Sequence, residues 1–197
     1  MQMQIPAFFY PIFGYFLGSL PFALWVVRLF SGKDIRVAGS GHATTTNTIR
    51  QAGWLPGVMV AILDVSKGFI PTYLAIQAGL PEWMIALTAG LTVAGHCWPI
   101  FAGFRGGMGL ATTGGMLLAV SPLGFLIAFA LLLICVLVIR HSARGAVLAA
   151  VLGPFVFWIL GLRGTELWVG TAAAMVVALR FYLEDWNRKY RELWLDR

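Results

Sequence analysis

Six apolar runs, over residues 5–30, 54–80, 83–101, 109–139, 145–161 and 166–183, occupy most of this 197-residue chain. A soluble domain of this length must cover its core with polar side chains, and too few remain to do so. Hydrophobic residues make up 59% of the chain and charged ones 11%, with a mean hydropathy of +0.83. Runs of about twenty apolar residues match the hydrocarbon core of a bilayer crossed as a helix. The chain therefore reads as an all-α integral membrane protein, a single transmembrane helical domain over residues 1–197.

The run over 109–139 is longer than one crossing requires, and Ser121-Pro122 lies inside it, where the chain can turn. Charge placement decides whether it is one helix or two. Divided into spans at about 109–120 and 123–139, it puts Arg28, Lys33, Arg36, Arg50, Arg105, Arg140, Arg144 and a basic tail (Arg188, Lys189, Arg191, Arg197) on one side. Glu82, Arg163, Glu166 and the uncharged N-terminus then face the other side, as the positive-inside bias requires. The expectation is about seven transmembrane helices, N-terminus out and C-terminus in. The N-terminus has no basic leader region and no small-residue cleavage site, so it reads as a retained first span. The net charge of +6 belongs to the flanks of the spans, and nucleic acid is not an expected partner. Cys97 and Cys135 lie in apolar runs and give no disulfide framework.

The polar residues of the basic side collect in two glycine-rich loops, about 31–53 and 102–109. In the first, Ser40, Gly41 and His42 precede Thr44, Thr45, Thr46 and Asn47, with Arg36 and Arg50 as permanent positive charges. Glycine-exposed backbone N–H groups and arginine forks suit phosphate oxygens; a helix cap and solvated loop is the alternative reading. Asn47 and Arg50 are three apart and would share a face of a helix starting near Thr44. In the second loop Gly103, Gly106, Gly107 and Gly109 allow close backbone approach to a ligand or tight turning, Arg105 supplies charge, and Thr112 a hydroxyl. Strand-to-helix context and the GxxxxGK[ST] pattern of a P-loop are both missing. His96, just before this loop, can serve as a general base or as a neutral imidazole tying helices together. With Ser40 it would form an activated hydroxyl, although the sequence identifies no third member. Asp64 and Lys67 are three apart inside an apolar run and read either as a structural ion pair or as the wall of a polar cavity. The histidines lack clustered carboxylates or thiolates, so no metal site is expected. Residues 180–197 alternate aromatic and charged side chains, the pattern of an interfacial amphipathic helix.

Together these motifs resemble the bacterial acyl-phosphate:glycerol-3-phosphate acyltransferase family. The first is GSLP, a downstream arginine, DIR and GSGHATTTNTIR over residues 18–50; the second is DVSKG from Asp64; the third is GHCWP through GFRGGMGLAT over residues 95–112. The resemblance implies transfer of an acyl group from acyl phosphate to a hydroxyl of glycerol 3-phosphate, giving lysophosphatidic acid, without a cofactor. It implies a multi-pass protein of the bacterial cytoplasmic membrane with its active face cytoplasmic, expected as a monomer among membrane lipids. Carried over residue by residue, Ser40, His96 and Asn47 are the catalytic candidates. Arg50, Thr46, Gly41, His42, Lys67, Arg105, Gly106, Gly107, Gly109, Thr112 and Asn187 are the substrate-binding ones. The chain departs from the family pattern at His42, where the family has asparagine, and at Thr44 and Thr45. Met108 stands in place of the lysine of KGGKG, and Tyr182, Glu184 and Asp185 occupy the region of a histidine-containing C-terminal signature. These changes fall in the polar pocket, so the alternatives are a different polar acceptor or a non-catalytic lipid- or phosphate-binding protein. No paired broken helices or inverted repeat in the sequence speak for transport.

Overall fold

A computed structural model describes residues 6–187. Its helices are α1 (Phe9–Gly18), α2 (Phe22–Ser31), α3 (Thr45–Ala52), α4 (Trp54–Gln77), α5 (Glu82–Cys97), α6 (Leu110–Val120), α7 (Pro122–Ile139), α8 (Ser142–Ile159) and α9 (Thr165–Asp185), with short 3₁₀ turns at Ile35–Val37 and Ile100–Ala102. The all-α membrane architecture is as the sequence implies. Among the described residues six segments, with α1 and α2 counted as one, are long and apolar enough to cross a bilayer. The lipid-facing character is plainest in α7, which has a mean hydropathy of 3.0 yet leaves most of its side chains outside the bundle. Water would not tolerate that surface; hydrocarbon does.

The run over 109–139 divides at Ser121, as expected. Ser121 caps α7, its hydroxyl accepting from Gly124 N–H at 3.1 Å, and Pro122 takes the first helical turn, where its missing N–H is harmless. The resulting α6 has 11 residues, about 16 Å of helix, roughly half the hydrocarbon core. The first run is one candidate span, Phe9–Ser31, as expected, but its helix is interrupted at Ser19–Pro21, because Pro21 has no N–H for the ladder and the residue before a proline is pushed out of helical conformation. How α6 is held was not legible in the sequence. A Cβ on Gly68 of α4 would meet the carbonyl of Thr112, and one on Gly115 of α6 the carbonyl of Val65. Two glycines thus let α4 and α6 approach backbone to backbone.

Both glycine-rich loops lie at the same end of the bundle, joined by a hydrogen bond from Ala43 N–H to the Gly106 carbonyl (3.2 Å). The end of α9 is there too, since Asp185 meets His42. At the opposite end, Leu162 packs near Gly124 and the Glu82 side chain lies beside Gly164. The expected amphipathic tail needs correction over its described part. Arg180, Phe181 and Asp185 are buried in the bundle, and the remainder, 188–197, with Arg188 and the other basic tail residues, lies outside the described residues.

Candidate functional site

The broken first segment positions the site. Within this interruption the Leu20 carbonyl accepts from Phe22 N–H at 3.0 Å and from Lys67 Nζ at 3.2 Å, and Lys67 also pairs with Asp64 at 2.9 Å. Both charges are almost fully buried, at 4% and 2% side-chain exposure, so each needs the other. The Phe22 ring lies 5.5 Å from the ammonium. His96, near the end of α5, turns Nδ1 toward the same Asp64 oxygen at 3.5 Å; the contact lacks hydrogen-bond alignment. Asp64, Lys67 and His96 line one narrow polar cavity with Arg105, Gly106 and Gly107. The two readings of Asp64 and Lys67 are therefore both correct: they are an ion pair and a cavity wall.

The glycines of the second loop serve both close backbone approach, at Gly106 and Gly107, and turning, at Gly103 and Gly109, which have positive φ. A Cβ on Gly107 would run into the His96 ring and the Ala43 carbonyl; one on Gly106 would meet the carbonyls of His96 and Cys97. Their close approach is to the end of α5, and Gly107 N–H is already given to the His96 carbonyl (3.1 Å). Gly109 takes a left-handed conformation (φ 82°) to start α6. Met108 points away from the cavity into an apolar cluster with Val177 and Phe181. Thr112 is fully buried, and its hydroxyl has no hydrogen-bond partner among the described residues.

In the first loop Thr44 caps α3, its hydroxyl accepting from Asn47 N–H at 3.3 Å. Asn47, expected at the substrate, is consumed by the loop itself. Its amide NH₂ points to the carbonyls of Ile35 (3.3 Å), Ala38 (3.0 Å) and His42 (3.0 Å), and its oxygen accepts from Ser40 N–H (3.3 Å). Two N–H bonds facing three carbonyls leave no donor for a ligand. The helix starts just after its cap Thr44, as expected, and carries Asn47 and Arg50 one turn apart, Asn47 buried and Arg50 exposed. Ser40, half-buried, sits on the turn beside Gly41, its hydroxyl 3.4 Å from His42 N–H. Neither Ser40 nor Asn47 belongs to the cavity wall that holds His96. Thr46 and Asn187 are exposed, and His42 is buried against Asp185. Just before this turn, Arg36 clamps Asp34 at 2.6 Å and reaches the Ala102 carbonyl at 3.2 Å. The side-chain hydrogen bond from Arg36, aided by its backbone N–H and by Arg28, outweighs partial burial and draws the Asp34 carboxyl from 3.8 to about 2.

Sequence reasoning missed Arg180. It is buried, donating from Nε to the Gly107 carbonyl (3.1 Å) and from Nη2 to the Gly106 carbonyl (3.4 Å). Its only sequence signal is an arginine in the apolar register of α9. Beside the loop, a groove of about 110 Å³ runs between α6, α7, α8 and α9. It begins at Leu110 and Thr113, passes Ala149 and Gly153, and ends near Phe157 and Gly170. Its walls are apolar and rich in small residues, a chemistry that suits a hydrocarbon chain. Among the described residues no cluster of three or more histidine, cysteine or carboxylate side chains is arranged for a metal.

The chain is similar to known proteins in sequence and in fold. The glycerol-3-phosphate acyltransferase family profile matches residues 8–189. Glycerol-3-phosphate acyltransferase 2 of Moorella thermoacetica is 40% identical over 144 residues, covering 73% of this chain and 74% of that protein. The crystal structure of PlsY (YgiH), an integral membrane glycerol 3-phosphate acyltransferase, superposes in its glycerol 3-phosphate form with a TM-score of 0.78 and 34% identity, over 90% of this chain and 88% of that one. The lysophosphatidic acid form gives 0.75 and 32%, over 88% and 87%. A profile match over nearly the whole chain, with a similar overall fold, places this chain in the glycerol-3-phosphate acyltransferase family.

Proposed function

We propose that this chain transfers an acyl group from acyl phosphate to a hydroxyl of glycerol 3-phosphate, giving lysophosphatidic acid. The observation that carries this reading is the convergence of Asp64, Lys67, His96 and Arg105 on one cavity, within a chain of the acyltransferase family. Lys67 and Arg105 hold phosphate, with Arg50 and Thr46 on α3 and Asn187 at the mouth of the site. Asp64, 3.5 Å from Nδ1 of His96, stabilises the imidazolium that forms when Nε2 takes the proton of the attacking hydroxyl. The hydroxyl oxygen forms the new ester bond to the carbonyl carbon, the bond from that carbon to the phosphate oxygen breaks, and inorganic phosphate leaves. Gly109 and Thr112, at the start of α6, bring positive helix-end potential toward the leaving phosphate. Ser40 and Gly41 shape the turn that Asn47 braces. The acyl chain lies in the groove between α6 and α9, beside Gly153. Seven spans, including the short α6, put the N-terminus outside and both glycine loops on the cytoplasmic face of a bacterial inner membrane, where the chain acts as a monomer.

The test uses purified full-length protein in lipid, supplied with acyl phosphate and glycerol 3-phosphate. Phosphate and lysophosphatidic acid appear in equal amounts, and His96→Gln lowers the rate by about a hundredfold or more, the usual weight of a general base. Acyl-phosphate consumption without lysophosphatidic acid would assign a different acceptor. Turnover unaffected by His96→Gln would remove His96 from the reaction.

A further inference from the structure

The end of α9 reaches both glycine loops through buried charged groups. Arg180, 3% exposed, binds the carbonyls of Gly106 and Gly107, pairs with Glu184 at 2.9 Å and lies 5.6 Å from the Trp98 ring. Further along the same helix, Asp185 is fully buried and meets His42 Nε2 at 3.1 Å. Between these two attachments, Ala43 N–H binds the Gly106 carbonyl, so residues 42, 43, 106, 107, 180 and 185 form one connected network.

Irregular loops hold their shape only through such ties, because they have no ladder of their own. A site that binds a compact anion needs its donors fixed to a fraction of an ångström. Buried charges hold loops in this way because breaking either partnership leaves a charge without compensation, so the loops cannot drift apart at little cost. His42 and Asp185 both depart from the family pattern as read from the sequence, and the structure brings them into contact. They are one change, an acid installed opposite a base, rather than two separate losses.

We propose that α9 is the positioning element of this site: Arg180 and the His42–Asp185 pair fix the separation of the two glycine loops, and so set affinity for the phosphate-bearing acceptor without touching it. The proposal rests on the acceptor occupying the cavity between Lys67, His96 and Arg105. Its test compares Asp185→Ala, His42→Asp, the exchanged pair His42→Asp with Asp185→His, and Arg180→Lys, as full chains in lipid. The two single changes at the pair raise KM for glycerol 3-phosphate about tenfold, with a smaller effect on kcat, and the exchanged pair returns KM to within about threefold of wild type. Arg180→Lys retains charge but loses the fork that spans two carbonyls, and KM rises by about the same tenfold. Folded single variants with wild-type KM would overturn the proposal, as would an exchanged pair no better than its worse component. If a single variant does not fold, the exchanged pair and Arg180→Lys decide. Hydrogen exchange over residues 39–44 and 103–109 reads the ties independently of turnover. Faster exchange in both loops upon Arg180→Lys or Asp185→Ala supports the clasp; unchanged exchange removes it, even if glycerol 3-phosphate proves to be the wrong acceptor.

Discussion

Asn47 shows how a residue read as chemistry can be architecture. Its amide braces four backbone groups of a loop that has no ladder of its own. Asn47→Ala is expected to destabilise the protein by about 1–3 kcal/mol, the penalty for buried polar groups left unpaired. Thermal unfolding in detergent checks this, and a loss of transfer without loss of stability would return Asn47 to the reaction. Asp34 offers a second test at this scale. Its carboxyl is held near 2, below the ordinary 3.8, by Arg36. A depressed carboxylate stabilises the fold above its unfolded value and loses that contribution as pH falls through the folded one. The loop after α2 should therefore loosen between about pH 4 and 2, and Asp34→Asn should be weaker at neutral pH but flat across that window. Acid titration followed by hydrogen exchange at residues 34–44 distinguishes the two. The sequence made His96, Lys67 and Arg105 legible because a charge or an imidazole beside an apolar run needs a reason. Arg180 was hidden because its reason lies 73 residues away, at the Gly107 carbonyl, and no local spacing encodes it.

At the scale of the element, the breaks in helices are the informative features. Ser121-Pro122 could be read as a division because a capping residue followed by proline is a local signal. Gly18, Ser19 and Pro21 are a local break signal too, but what the break is for was hidden, because its use depends on Lys67 from another helix. The α4–α6 contact was equally silent, since glycines in membrane helices do not announce their partners. It gives a sharp prediction. The Cβ of Gly115→Ala would run into the Val65 carbonyl, a backbone atom that cannot rotate aside. The helices must separate, with a loss of about 1–3 kcal/mol and a lower melting temperature. Because Val65 lies between Asp64 and Lys67 on α4, transfer should fall as well; a variant with normal melting and activity would show that the two helices are not locked. Gly153→Leu is the complementary case. A Cβ at Gly153 meets nothing within 4 Å, and the residue lines the groove. The new side chain should fill the groove without straining α8, raising KM for long-chain acyl phosphates by about tenfold, several buried methylenes' worth of lost contact, while sparing short-chain ones. An equal effect on both would place the chain elsewhere.

For the whole molecule, the decisive property is that its two ends differ. One end gathers the long glycine-rich loop, the second glycine loop and the buried end of α9; the other has only the short connections near Glu82 and Gly164. Basic residues follow the same division: Arg28, Lys33, Arg36, Arg50, Arg105, Arg140 and Arg144 lie at or near the loop end, whereas Arg163 stands at the other. Insertion retains positively charged short loops on the cytoplasmic side, so the loop end should face the cytoplasm. That orientation also puts the polar cavity where phosphorylated small molecules can reach it, while the groove opens toward acyl chains in the bilayer. The prediction is tested in intact cells with a thiol reagent that does not cross membranes. Native Cys97 and Cys135 are buried and should contribute little background. Glu82→Cys, exposed at the far end, should be labelled from outside; Thr46→Cys, exposed on α3, should be labelled only after the membrane is opened. The reverse pattern would invert the protein. Labelling of both sites from outside would break the link between the glycine loops and the cytoplasm, because Ala43 and Gly106 are hydrogen-bonded and their loops cannot lie on different faces.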